Sequence, residues 1–124
     1  MAKHHQLGKR GEQLARKFLE EKGFKILETN WRHGKDEVDL IAKDGDELVM
    51  VEVKTRSTHF FGDPSEAVGA AKENFMIRAA ESYLETHKID IDTRFDIVSI
   101  VIDKGGTHIE HIRDAFYPEM PDLD

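Results

Sequence analysis

Residues 37 to 55 read Glu-Val-Asp-Leu-Ile-Ala-Lys-Asp-Gly-Asp-Glu-Leu-Val-Met-Val-Glu-Val-Lys-Thr. Two apolar runs, Glu37 to Ala42 and Glu47 to Thr55, flank Lys43-Asp44-Gly45-Asp46. An Asp-Gly pair between apolar runs is a strong hairpin signal, because glycine accepts the positive φ of a tight turn. Side chains alternate across a strand. The second run therefore sends Leu48, Met50, Glu52 and Lys54 to one face, and Val49, Val51, Val53 and Thr55 to the other. On the first run Glu37, Asp39 and Ile41 share a face, with Val38, Leu40 and Ala42 opposite. With Asp44-Gly45 as a two-residue turn, Asp39 faces Met50 and Glu37 faces Glu52. Asp39 then lies diagonal to Glu52, roughly 7–8 Å away at the backbone.

Two carboxylates so placed repel each other, and partial burial further disfavours their ionised forms. A shared cation relieves both costs. Oxygen-only ligands in a chain without cysteine point to Mg²⁺ or Mn²⁺. Lys54, on the same face, suits the orientation of an attacking water or the stabilisation of charge on a phosphoryl group. An exposed polar hairpin face is the bland alternative. It fits less well, since Leu48, Met50 and Ile41 share that face with the charges.

Outward from the hairpin, Leu7, Leu14, Ala15, Phe18 and Leu19 recur at helical spacing, and Gly23 supplies a stop, predicting a helix over residues 4–22. Glu12 falls at the edge of its apolar stripe. Phe24 to Trp31 suits a strand, and Asn30 to Gly34 a turn. Asp63 as N-cap, Pro64 and Glu66 predict the start of a second helix, whose apolar face runs from Val68 to Leu84, with Gly69 placed for close packing. Phe95 to Ile102 and His108 to Arg113 read as the last strands, joined by Lys104-Gly105-Gly106. The order α-β-β-β-α-β-β predicts an α/β fold with a mixed β-sheet flanked by helices, one domain over residues 1–117 and an acidic tail over 118–124.

A chain of 124 residues can bury one core without disulfides. The absence of cysteine excludes thiolate metal sites and thiol nucleophiles, and suits a reducing cytoplasm. No apolar run reaches the roughly 18 residues of a membrane span, and the N-terminal residues offer no signal-peptide core. A soluble, cytoplasmic protein is expected. The net charge is −7, unfavourable for a polyanionic partner, but the basic side chains are concentrated in the first 32 residues. Lys9, Arg10, Arg16 and Lys17 are thus candidates for phosphate contacts, joined by Arg32 and Arg56, although a solvated amphipathic helix would carry similar charge.

Glu37-Val38-Asp39-Leu40-Ile41 followed by Val51-Glu52-Val53-Lys54 resembles the PD-(D/E)XK signature of the restriction-endonuclease-like superfamily. More closely, the chain resembles the YraN-like family of predicted endonucleases. Gly8-Lys9-Arg10-Gly11-Glu12, Asn30-Trp31-Arg32, Arg56, Pro64 and Lys72 extend the resemblance over residues 6 to 113. It departs at Asp36, where glycine is usual, and at Val38, which replaces the superfamily's proline. The resemblance implies a restriction-endonuclease-like core and metal ligation by Asp39, Glu52 and the Val53 carbonyl. It also implies a catalytic Lys54, with support from Glu12 and Lys72; a snorkelling helix lysine is the bland reading of Lys72.

The expectation is a Mg²⁺- or Mn²⁺-dependent nuclease acting on DNA, more than RNA, or on branched DNA in repair or recombination. Its rival is a nucleic-acid-binding module on the same scaffold with little turnover. A homodimer would suit cutting both strands. Seven histidines suggest no zinc site, since His108 and His111 face opposite ways on a strand, while His33, His59 and His87 read as solvated. His59-Phe60-Phe61 and Trp31-Arg32 are loop aromatics suited to base stacking, to satellite core or to a dimer contact.

Overall fold

The computed structural model describes residues 2–57 and 69–118. The elements run α1 (Ala2–Glu21), β1 (Lys25–His33), β2 (Asp36–Asp44), β3 (Glu47–Arg56), α2 (Ala70–His87), β4 (Asp92–Asp103) and β5 (Gly106–Ile112), the predicted order. The five strands lie in one sheet in sequence order, antiparallel except for the parallel pair β3–β4, whose crossover contains α2. On one face Ala15 and Leu19 of α1 pack against Leu40, Ala42, Val49, Val51, Val98 and Ile100. On the other, Phe75, Met76, Ala79, Ala80 and Tyr83 of α2 pack against Val38, Ile41, Leu48, Met50, Phe95 and Ile97. The β3 alternation is as predicted, and the central strands are apolar on both faces because each face carries a helix.

Several boundaries differ from expectation. β1 extends to His33, so Trp31, Arg32 and His33 belong to a strand and not to a turn. Trp31 meets Tyr83 edge-on, and His33 stacks on Trp31 and tilts against Phe75, making both satellite core. The other aromatic candidates, His59-Phe60-Phe61, lie outside the described residues, as do residues 119–124 of the predicted tail. The helix signals at Asp63, Pro64, Glu66 and Val68 also fall outside them. Gly69, however, is extended (φ −84°, ψ 172°) and α2 begins after it, so no single helix runs through this point. Among the described residues, a Cβ at Gly69 would meet nothing within 4 Å. β4 starts at Asp92, three residues ahead of Phe95, which brings Arg94 into the strand.

The hairpin register also differs. Asp44 pairs with Glu47, Ile41 with Met50 and Leu40 with Val51, so Gly45 (φ 59°) and Asp46 form the turn. A shift by an even number leaves every side chain on its face. A second departure does change faces. Val38 packs with Ile41 on the α2 side, whereas strict alternation grouped it with Leu40 and Ala42. Its partner strand behaves alike: Thr29 faces α1 and Trp31 faces α2. Between them Asn30 has φ 49°, a left-handed conformation that reverses the alternation while the pairs Thr29↔Leu40 and Trp31↔Val38 keep one register.

Candidate functional site

β2 and β3 part company after Leu40↔Val51. β2 stays with β1 as far as His33↔Asp36, and β3 stays with β4 as far as Arg56↔Val101. Hydrogen-bonded pairs recur every second residue in an antiparallel ladder, so Val38↔Val53 would be the next. Instead the Val53 N–H donates to Asp39 Oδ2 at 2.8 Å. A side-chain carboxylate thus replaces a main-chain carbonyl at the mouth of a fork. The N–H and C=O of one strand residue point the same way laterally, so the Val53 carbonyl also faces this opening.

Glu52 enters the fork from β3, on the face that carries Leu48 and Met50. Lys72, from the first turn of α2, turns inward: its Nζ donates to the Glu37 carbonyl at 3.1 Å and lies 3.4 Å from Glu52 Oε2. That contact is an ion pair, and among the described residues the buried Oε2 has no further hydrogen-bond partner. The snorkelling reading of Lys72 does not hold. Lys54 is exposed, and its charge favours the ionised form of Glu52. Glu12 reaches the fork from α1, where Asn30 Nδ2 donates to its Oε2 at 3.2 Å, and its charge acts on both Asp39 and Glu52. Gly11 makes this approach of α1 feasible. A Cβ there would overlap Thr55 Oγ1 and lie 2.7 Å from the Thr55 Cβ.

Burial pushes the Asp39 carboxyl up to about 7, and the neighbouring Glu52 adds to this against the opposing Val53 N–H. Glu52 is likewise raised, by burial above all, with Lys72 pulling the other way. Two carboxyls held above their ordinary range in one opening form a site short of positive charge. Among the described residues no three His, Asp or Glu side chains gather as a ready-made metal nest. The available donors are the two carboxylates and the Val53 carbonyl, all oxygen.

The basic candidates separate. Lys9 and Arg16 line a cavity of about 180 Å³ together with Glu12, Gln13, Thr29, Asn30 and Leu40. Arg10 and Lys17 are exposed and do not line it. Arg32 pairs with Glu37 at 3.3 Å, leaving Glu37 turned toward β1 and not opposed to Glu52 as expected. Arg56 is half-buried at the end of β3.

His87 Nδ1 donates to the Tyr83 carbonyl and its ring stacks on the Tyr83 ring, and His108 pairs with Asp103. His111, by contrast, has a side chain only 2% exposed. Sequence reasoning missed two features. Asn30 was visible only as part of a motif, and the buried Arg94–Asp96–His111 group was obscured by starting the strand at Phe95.

A five-stranded mixed sheet between two helices, with a paired carboxylate centre and two lysines at a fork in the sheet, defines an α/β protein with a carboxylate-paired site. Residues 11–100 match the uncharacterised protein family UPF0102. Similar chains are the UPF0102 proteins of Christiangramia forsetii, 48% identical over 94% of this chain and 98% of its own length, and of Bacteroides thetaiotaomicron, 46% identical over 97% and 99%. That of Flavobacterium psychrophilum is 45% identical over 94% and 98%. The chain belongs to the UPF0102, or YraN-like, family.

Proposed function

We propose that this protein is a metal-dependent nuclease of the restriction-endonuclease-like, PD-(D/E)XK kind, hydrolysing phosphodiester bonds in DNA or branched DNA during repair or recombination. The observation that carries this reading is the fork, where Asp39 replaces a ladder carbonyl at the Val53 N–H and stands beside Glu52, both carboxyls raised by burial. The buried Glu52 Oε2, which among the described residues is met only by the 3.4 Å ion pair to Lys72, and the all-oxygen donor set suit Mg²⁺ or Mn²⁺. Asp39, Glu52 and the Val53 carbonyl are the residues that would hold the ion. A cation bound there supplies Lewis-acid stabilisation of charge on the phosphoryl oxygens.

The chain's own residues do the rest. Lys54 positions the nucleophilic water and offsets negative charge on the phosphoryl oxygens. Lys72 holds Glu52 in the fork and tempers the repulsion between the carboxyls. Glu12, fixed by Asn30, borders the site from the α1 side.

Cleavage of duplex, single-stranded, flap and four-way DNA with Mg²⁺ or Mn²⁺ tests the reading. Asp39→Ala and Lys54→Ala should each lower the rate by about 10²-fold or more. Cleavage unchanged by Asp39→Ala belongs to another protein or another site. Salt-sensitive DNA binding with no cleavage by the wild type would favour a nucleic-acid-binding module.

A further inference from the structure

The cavity beside Glu12 takes no part in the arrangement of Asp39 and Glu52, yet it shares a wall with it. Complete small-molecule sites span roughly 300–1,000 Å³. At about 180 Å³ this cavity is too small for a base with its sugar and suits a single anionic group. Lys9 and Arg16 lie two helical turns apart on one face of α1, with Gln13 between them as a neutral donor. The single acid in the lining, Glu12, is engaged by Asn30. Among the described residues Arg16 pairs with Glu20 at 3.7 Å, and both side chains are half exposed, a pairing that an anion readily displaces. Asn30 lines the cavity and bonds Glu12, whose charge acts on Asp39 and Glu52, so cavity and fork adjoin at Glu12.

We infer that this cavity is a phosphate subsite, in which Lys9 and Arg16 hold a phosphodiester neighbouring the one at the Asp39–Glu52 centre. The inference rests on the nuclease reading of that centre and narrows its substrate. A strand with at least two phosphodiesters fills both positions, whereas a dinucleotide fills one. The protein is therefore a reader of polynucleotide strands, not of mononucleotides or single linkages.

Fluorescence anisotropy of the full-length protein with a fluorescein-labelled single-stranded deoxyoligonucleotide tests this, beside cleavage of the same probe with Mg²⁺. Lys9→Gln with Arg16→Gln should weaken binding by about tenfold and reduce the salt slope by roughly 0.7, one single-strand phosphate contact. KM should rise with kcat unchanged. The charge-matched pair Lys43→Gln with Arg78→Gln, on β2 and α2, should leave the slope unaltered. A scan of single uncharged methylphosphonate linkages should reveal one position that weakens the wild type but not the Lys9/Arg16 double variant.

Equal effects of the two double variants, or no such position in the scan, overturn the subsite while cleavage by the wild type leaves the nuclease reading standing. The expected binding losses without any cleavage reverse that outcome. A wild type that neither binds nor cuts removes both.

Discussion

Asp39 is asked to do two things that conflict in the absence of a cation. Its Oδ2 closes the fork by accepting the Val53 N–H, a local stabilisation, while its charge is buried next to Glu52. Asparagine at this position keeps an acceptor oxygen and discards the charge. Asp39→Asn should therefore stabilise the metal-free protein at pH 7 by on the order of 1–3 kcal/mol, raising Tm by several degrees, while abolishing cleavage. Adding Mg²⁺ should raise the wild-type Tm, since an ion that binds only the folded state stabilises it, by about 2.7 kcal/mol at a hundredfold excess over Kd. The Asp39→Asn variant should respond little. Thermal melts with and without Mg²⁺ measure both. A destabilised variant would mean that the Asp39 charge is already compensated and that the fork has no need of a cation. Strand alternation paired Glu52 with Lys54 on β3, but on β2 the alternation breaks at Asp39, between Val38 on the α2 side and Leu40 on the α1 side. It could not reveal the inward turn of Lys72, because a helix lysine's direction is decided by the carbonyl and carboxylate it finds.

Elements place these residues by close approach. α1 crosses β3 at Gly11 with no room for a side chain, and Glu12 follows directly, so the helix–sheet distance decides whether Glu12 reaches the fork. Gly11→Ala should cost about 1–3 kcal/mol by overpacking and lower activity as Glu12 recedes. Thr55→Gly, which removes the atoms in the way, should recover part of the packing loss in the double variant, as a double-mutant cycle of chemical melts would read out. Additive losses would show that the helix shifts elsewhere.

At this scale the strands and the first helix were readable from periodicity, because each central strand is apolar on alternate or both faces and each helix has a stripe. The register was not. Asp44-Gly45 and Gly45-Asp46 both place glycine in a two-residue turn, and only long-range pairing chooses between them. The reversal at Asn30 was equally hidden, since alternation assumes a regular backbone and a left-handed residue inside a strand leaves no apolar signature. Asp36, at the start of β2, is exposed opposite His33 and stands away from the fork residues.

Across the whole molecule, one charge cluster lies at the start of β3 and the other at its middle, and they are treated oppositely. At the Glu47 end, Arg94 bonds Asp96 through Nε and Nη2, at 2.9 and 3.0 Å, and reaches Asp44 and Glu47 through Nη1. His111 meets the second Asp96 oxygen at 2.7 Å and Lys22 on its other nitrogen at 2.9 Å, so the end of α1, the β2–β3 turn, β4 and β5 are tied together. Burial opposes the charge on Asp96, but the bonds from His111 and Arg94 outweigh it and hold its carboxyl below the usual range. At Asp39 and Glu52 the carboxyls are raised instead. The signs predict the pH profile of the metal-free protein. Stabilisation from Asp96 is present above the ordinary carboxylate pKa of about 3.9 and disappears as pH falls through its lower folded value. The penalty from Asp39 is absent at that acidity, sets in as pH rises, and is complete above about 7. Stability should thus be greatest in mildly acidic solution. Asp39→Asn should flatten the limb between pH 4 and 7. Asp96→Asn, which leaves a buried guanidinium underpaired, should cost about 3–5 kcal/mol at neutral pH, with the deficit narrowing in strong acid as the wild type loses the same interaction. Urea melts across pH separate the two limbs. A wild-type profile that only rises from pH 4 to 7 would contradict the charge shortage at the fork while leaving the Arg94 cluster intact, since that cluster acts on the acid limb alone.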